Sequence, residues 1–273
     1  MDIRPAAVAG SWYPGIASAL DRAVDGYLEA AARESPVAER CPRAIVAPHA
    51  GLMYSGPVAA FAYGLVKGCA YDAVALVGPS HFVGFDGISI WPRGAWETPY
   101  GAISVAADIA AAVVAAGAAI EEYRAAHSRE HSLEMQLPFI ARVLPGVPIV
   151  PMVMGYQTRQ TAEALGDALA AALRGRNVLL VASSDLSHYH DARTAAAMDG
   201  VVARLVESFD AAALMTALER EPAHACGGGP IVAVLRAARA LGATRARVLR
   251  YADSGDVSGD KAAVVGYMAA GIW

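Results

Sequence analysis

Two stretches of this chain set a histidine just beyond an apolar run, a placing that suits metal ligation or proton transfer. In residues 43–56, RAIVAPHAGLMYSG, the run AIVA meets Pro48 and then presents His49. In residues 73–82, AVALVGPSHF, a second apolar run ends in Gly-Pro-Ser and delivers His81. Open α/β sheets build their crevices at the carboxyl ends of strands, so two imidazoles there read as paired ligands or acid–base groups. One such histidine is more often a satisfied core residue; the repetition gives the pair its weight.

A third apolar run, NVLLVAS, leads into SSDLSHYH, where Asp185 and His188 stand three apart. On a helical turn that carboxylate would fix the imidazole tautomer; the plainer reading is a helix cap with surface histidines. Cys226 lies in ACGGGP. The glycines would let backbone approach a ligand, and Pro230 suits a first helical turn, whose positive end would favour a thiolate. That thiolate could be a nucleophile or a soft metal ligand. The string HSREH, residues 127–131, matches the H-x-x-E-H pattern of inverted zinc peptidases. Ser128 as an N-cap would leave His127 outside the helix, so His131 and Glu134 are expected to share a face directed into the crevice.

The elements around these residues follow from periodicity. Ile16, Leu20, Val24, Tyr27, Leu28 and Ala31 fall on one helical face, and Ser35-Pro36 with Cys41-Pro42 bound a short linker. A helix is expected over 57–67, capped by Ser55, opened by Pro57 and ended by Gly68. The Gly- and Trp-rich excursion 83–101 reads as a lid or pocket wall with a hairpin strand near 88–91. A helical stretch over 127–144 carries Pro138, which should kink it. Strands and helices then alternate to the final pair of strands. That pattern predicts one α/β domain with a mostly parallel central sheet and helices on both faces.

Composition narrows the classes. With 273 residues, 56% of them hydrophobic, the chain can bury a large core, and its net charge of −4 lacks the basic footprint of a nucleic-acid binder. Three unevenly spaced cysteines predict no disulfide framework and a reducing cytoplasm. The first residues lack the apolar core of a secretion signal, and the Ala-rich run 110–120 is far shorter than the ~20 residues that span a bilayer. A soluble, cytoplasmic protein without membrane contact is expected.

Taken in order, RPAAVAGSWYPG, APHAGLMYSGPVAAFAY, LVGPSHF, EHSLEMQLPF, SSDLSHY, ACGGGPI and YADSGDVSGDKAAVVGYMA resemble the Memo family, whose prokaryotic members are also called AmmeMemoRadiSam system protein B. The resemblance implies a single domain over 1–273, similar in fold to the class III extradiol dioxygenases. Those are non-haem iron enzymes in which two strand-end histidines and a carboxylate hold Fe(II) and a further histidine acts as acid and base. By position His49 and His81 match the metal-binding histidines, His188 matches the acid/base, and Cys226 stands where the ring-cleaving enzymes have a glutamate. A thiolate is softer than a carboxylate and favours copper(I), zinc or thiolate-tolerant iron, so the dioxygenase reaction does not transfer with the fold. The family is described as binding copper or iron with redox activity. Its eukaryotic members also bind phosphotyrosine peptides, a role that little in this sequence supports.

The expectation is therefore a metal-dependent oxidoreductase acting on a small substrate, with iron(II) ahead of copper and zinc as a further option. His49, His81 and Cys226 would be ligands; His188, oriented by Asp185, would move a proton, with His131 close behind. Two other classes stand beside it. One is a metal-binding or docking protein without turnover, working with the other proteins of the AmmeMemoRadiSam system. The other is a thiol hydrolase with Cys226 as nucleophile, His188 as base and Asp185 as orienter.

Overall fold

In a computed structural model that describes residues 2–34, 40–117 and 119–273, the chain opens with β1 (Ile3–Arg4), α1 (Ala17–Glu34), β2 (Ala44–Ala47), α2 (Leu52–Val66) and β3 (Ala73–Pro79). Next come β4 (Ile88–Ile90), β5 (Ala95–Thr98), β6 (Gly101–Ser104), α3 (Ala107–Ala116), β7 (Ile120–Glu121), α4 (Ala125–Ser128) and α5 (Leu137–Val143). The remainder is β8 (Ile149–Met154), α6 (Arg159–Ala172), β9 (Val178–Ser183), β10 (His188–His190), α7 (Ala192–Glu207), α8 (Ala211–Arg220), α9 (Gly228–Ala240), β11 (Ala246–Asp253), α10 (Gly255–Ser258) and β12 (Val264–Ile272). The Ser35-Pro36 end of the expected linker lies outside the described residues.

The uninterrupted apolar runs form the middle of the sheet, because a strand covered on both faces has no polar side to show. β2, β9, β3 and β8 are buried at every residue and run parallel in that order. Antiparallel β12 flanks them on one side and antiparallel β4 on the other. Side chains alternate across the sheet: Ala44 and Val46 join one apolar cluster with residues of α3, α6 and α9, while Ile45 and Ala47 join another with α1, α2 and α5. This is the two-faced α/β plan expected. The register pairs Ala47 with Ser183 and Pro79 with Met154, so the strands end level and their exit loops meet at one edge. Most of the 83–101 excursion leaves to form a small sheet, β1-β5-β6, while its first strand joins the main sheet as β4.

Several local expectations change. α2 starts at Leu52 after an N-cap at Gly51, with Pro57 inside it; Ser55 does not cap but donates to the Ala50 carbonyl at 2.7 Å. The carbonyl that Pro57 leaves unpaired is that of exposed Met53, which water can satisfy. Pro138 opens α5 rather than kinking a longer helix. A short 3-10 turn over Glu134–Gln136 leads into it, and ahead of that turn the Glu130 carboxylate binds the otherwise unpaired amides of His131 and Ser132. Cys41 and Cys69 form a disulfide, against the expectation of none, leaving Cys226 free. α2 returns the chain so that Cys41, three residues before β2, and Cys69, three residues after α2, meet, and the cysteine count no longer argues for a reducing compartment. No helix among the described residues is long and apolar enough to cross a membrane.

Glu134 does not face the crevice with His131 as expected. It is fully buried and pairs with Arg4, while also accepting from the amides of Ala7 and Val8 and from the Tyr13 hydroxyl at 2.8 Å. Arg4 donates to the His127 and Glu130 carbonyls as well, and its guanidinium lies 4.3 Å over the Trp96 ring. This network straps the opening segment across the 127–136 region. Removing one partner of a buried pair leaves an uncompensated charge, at a cost of roughly 3–5 kcal/mol. Arg4→Met is expected to lose about 3 kcal/mol of unfolding free energy in urea and to make residues 5–14 sensitive to limited proteolysis; near wild-type values would show that the strap is held otherwise.

Candidate metal centre

His49 leaves the end of β2 and is 1% exposed. Its Nδ1 lies 2.8 Å from the Ser183 hydroxyl, at the end of neighbouring β9. That hydroxyl donates its one proton to the Ser132 carbonyl at 2.6 Å and accepts from Gln136 Nε2 at 2.8 Å. With the proton committed, His49 Nδ1 must donate, which leaves Nε2 as a lone pair. Gln136 is held in turn by the Pro48 carbonyl and the Tyr63 hydroxyl.

His81 reaches the same tautomer by another route. Its Nδ1 donates to Glu130 Oε1 at 2.8 Å and its amide to Oε2 at 2.6 Å. Oε1 also accepts the amides of His131 and Ser132. Burial alone would raise the Glu130 pKa, but the hydrogen bonds it accepts from the His81 side chain and amide and from the Ser132 amide hold it down at about 2. The carboxylate is thus ionised and fully occupied, so although Glu130 falls in a second possible ligand group with His81 and His131, its role is to orient. A carboxylate behind a histidine with its Nε2 free is the usual support of a metal-binding imidazole. Sequence reasoning passed over Glu130; the signal was the E-H pair inside HSREH, from which His131 and Glu134 rather than Glu130 were expected to face the crevice. His127 of that motif is buried between Trp91 and Trp96, with Nε2 on the Ser89 hydroxyl.

Cys226 completes the cluster. Its Sγ lies 3.2 Å from His49 Nε2, and ligand atoms of His49, His81 and Cys226 are all within 4.8 Å of one another. Gln157 donates to the Cys226 carbonyl at 2.6 Å. The glycines after it serve packing rather than ligand approach: a Cβ on Gly227 would lie 2.4 Å from the Ser183 carbonyl oxygen. The expected thiolate-favouring helix end is outweighed. Burial, followed by the charge of Asp185, raises the thiol pKa well above its usual value.

Asp185 and His188 are near but do not form the expected pair. The segment between them is extended, not helical, and Asp185 Oδ1 accepts the amides of His49 at 2.7 Å and Ala50 at 3.3 Å. Burial raises its pKa against the pull of those amides. His188 is oriented instead by the Leu186 carbonyl, 2.8 Å from Nδ1, so its Nε2 is also open. Tyr189 beside it has a left-handed φ of 63° and is 79% exposed.

His131 stacks on His81, with centroids 4.5 Å apart, and Trp12 of the strapped segment lies 4.3 Å from its other side. Phe82 adds an edge at 5.9 Å. Burial, then the charges of His49 and His81, lowers the His131 pKa to about 4; burial also holds His49 well below its usual value. Both are neutral at pH 7.

A family described as Memo-like protein matches residues 4–271. A MEMO1 family protein of Methanothermobacter thermautotrophicus is 38% identical over 272 residues, covering 97% of this chain and 98% of that protein. Another, from Methanosarcina mazei, is 39% identical over 276 residues, covering 98% of each. The crystal structure of an uncharacterized protein from Escherichia coli K12 has a TM-score of 0.51 at 15% identity, covering 84% of this chain and 99% of that one, a likeness of fold alone.

The lowered His131 pKa has a sign that can be measured. Between its unfolded value of 6.5 and its folded value of about 4, the unfolded chain binds the proton first, so stability is present above pH 6.5 and is lost as pH falls toward 4. Metal-free protein is expected to lose on the order of 2 kcal/mol over that window. His131→Phe should flatten the slope measured by denaturant unfolding, and an unchanged slope would remove His131 as its source.

Proposed function

Because the chain belongs to the Memo family and gathers two imidazoles and a thiol at one edge of its sheet, we propose that it is a metal-dependent redox protein with His49, His81 and Cys226 as ligands. The observation that carries this is the 3.2 Å contact between His49 Nε2 and Cys226 Sγ. Ser183 makes that nitrogen a lone pair, so the thiol proton sits between two donor atoms that a cation would join. The donor set fits the group: two oriented imidazoles and one thiol suit iron, copper or zinc, and a redox role favours iron or copper over redox-inert zinc. Bound there, such a metal supplies Lewis acidity and one-electron chemistry.

The protein's own part is to hold donors and manage protons. Glu130 keeps His81 in one tautomer, and the Ser183 hydroxyl does the same for His49. His131, stacked on His81 with the tilted ring of Trp12 beside it, presents a neutral imidazole to an oxidisable small substrate. His188, with Nε2 free, is the group to give or take a proton there. The hydrolase alternative is disfavoured, because Cys226 contacts His49 rather than His188, Asp185 is bound to backbone amides, and the thiol is held protonated.

Protein purified without oxygen is expected to carry stoichiometric redox metal, and Cys226→Ser to lose most of it while keeping its circular dichroism. Glu130→Gln should weaken metal affinity by about 10–100-fold, the usual cost of losing a carboxylate behind a ligand histidine. Wild type and Cys226→Ser with equal metal content would contradict the assignment of the sulfur.

A further inference from the structure

Asp199, on α7, is a fully buried carboxylate that neither the metal centre nor the strapped opening segment uses. Its Oδ1 accepts the Ser187 amide at 2.9 Å and its Oδ2 the Tyr251 hydroxyl at 2.8 Å. Burial raises its pKa against the pull of those bonds, and in either protonation state Oδ1 remains an acceptor. The neighbouring strand makes room for it: a Cβ on Gly266 of β12 would overlap Asp199 Oδ2, so no larger residue fits there with the carboxylate in place.

What Asp199 fixes is the direction of one peptide. Gly266 donates to the Ser187 carbonyl at 3.0 Å and accepts the Leu186 amide at 2.8 Å, which ties the chain on both sides of the Leu186–Ser187 peptide to β12. A trans peptide points its N–H and its C=O opposite ways. Asp199 takes the N–H, so the C=O faces the other way, where His188 Nδ1 donates to it at 2.8 Å. Turned over, the same peptide would offer its N–H to that nitrogen, which would then have to accept, and the ring proton would move to Nε2. Beyond His188 the chain is pinned by a bulge. His188 pairs with Val265 and His190 with Val264, leaving Tyr189 outside the ladder at its left-handed φ of 63°. The ring thus sits between a fixed peptide and a fixed bulge, and its tautomer follows the carboxylate.

We propose that Asp199 is a positioning residue for His188, holding the Leu186–Ser187 peptide so that the imidazole carries its proton on Nδ1 and keeps Nε2 as a lone pair able to take up a proton. The use of His188 in proton transfer rests on the reading above. Its tautomer does not, because it is read in metal-free protein without turnover, so failure of either leaves the other standing.

Nitrogen-15 NMR of metal-free full-length protein, in mildly alkaline buffer where imidazoles are neutral, reads the tautomer directly, with the His188 signals assigned by their loss in His188→Gln. The wild type is expected to be protonated on Nδ1. Asp199→Ala is expected to lower the ratio of Nδ1- to Nε2-protonated His188 by about tenfold, the worth of one hydrogen bond, while Asp199→Asn, which keeps the acceptor, restores it. A loss of stability alone would change the folded fraction seen by circular dichroism and not the tautomer within it. A wild type protonated on Nε2, an Asp199→Ala ratio equal to that of wild type, or an Asp199→Asn ratio as low as that of Asp199→Ala would overturn the proposal. Should Asp199→Ala fail to fold, the scalar coupling through the hydrogen bond from the Ser187 nitrogen to Asp199 Cγ in the wild type decides the matter: its presence together with Nδ1 protonation supports the proposal, and its absence overturns it.

Discussion

The candidate centre depends on where one serine proton goes. Ser183 has a single hydroxyl hydrogen, and the Ser132 carbonyl takes it. The two remaining positions on that oxygen are acceptors, filled by Gln136 and His49. If the proton pointed elsewhere, His49 could turn its N–H toward Cys226 and the site would present a donor where it needs a lone pair. Because Ser183 ends β9 and Ser132 lies in the irregular 130–136 segment, this one bond ties the tautomer of a buried ring to the register of the sheet. The site is therefore a property of how the strands end.

Glu130 plays the equivalent part for His81, with more charge behind it. It collects N–H groups from three successive-element neighbours, His81, His131 and Ser132, and the cost of burying its charge is met by those bonds. The amides of His131 and Ser132 precede the 3-10 turn at Glu134–Gln136, so the carboxylate that orients an imidazole also satisfies donors that turn leaves unpaired. Glu134, four residues on, uses its own carboxylate to hold the opening segment, whose Trp12 then covers His131. Two acids in one short stretch divide the work of orienting the site and roofing it.

Much of this was legible in the sequence, and what was not has identifiable causes. Apolar runs ending at His49 and His81 marked buried strands because a doubly covered strand leaves no other pattern, and alternation with helices marked the α/β plan. His188 and Cys226 stood out as a third strand end and a Gly-rich turn, and resemblance supplied their roles. Partner choice was the part that could not be read. Asp185 and His188 are three apart, but only a helical turn would have joined them, and the chain there is extended. Glu130 was hidden because its role is defined by His81, which is distant in sequence. The Cys41–Cys69 bridge was missed because their closeness arises from the return path of α2, which spacing alone does not show.

The account's central claim is that one metal ion is held by the sulfur of Cys226 and the Nε2 atoms of His49 and His81. X-ray absorption at the metal edge of anaerobically loaded protein tests it most directly. The account predicts one sulfur neighbour at about 2.3 Å and imidazole nitrogens at about 2.1 Å, with the sulfur lost in Cys226→Ser. A first shell of nitrogen and oxygen alone in the wild-type protein would contradict it.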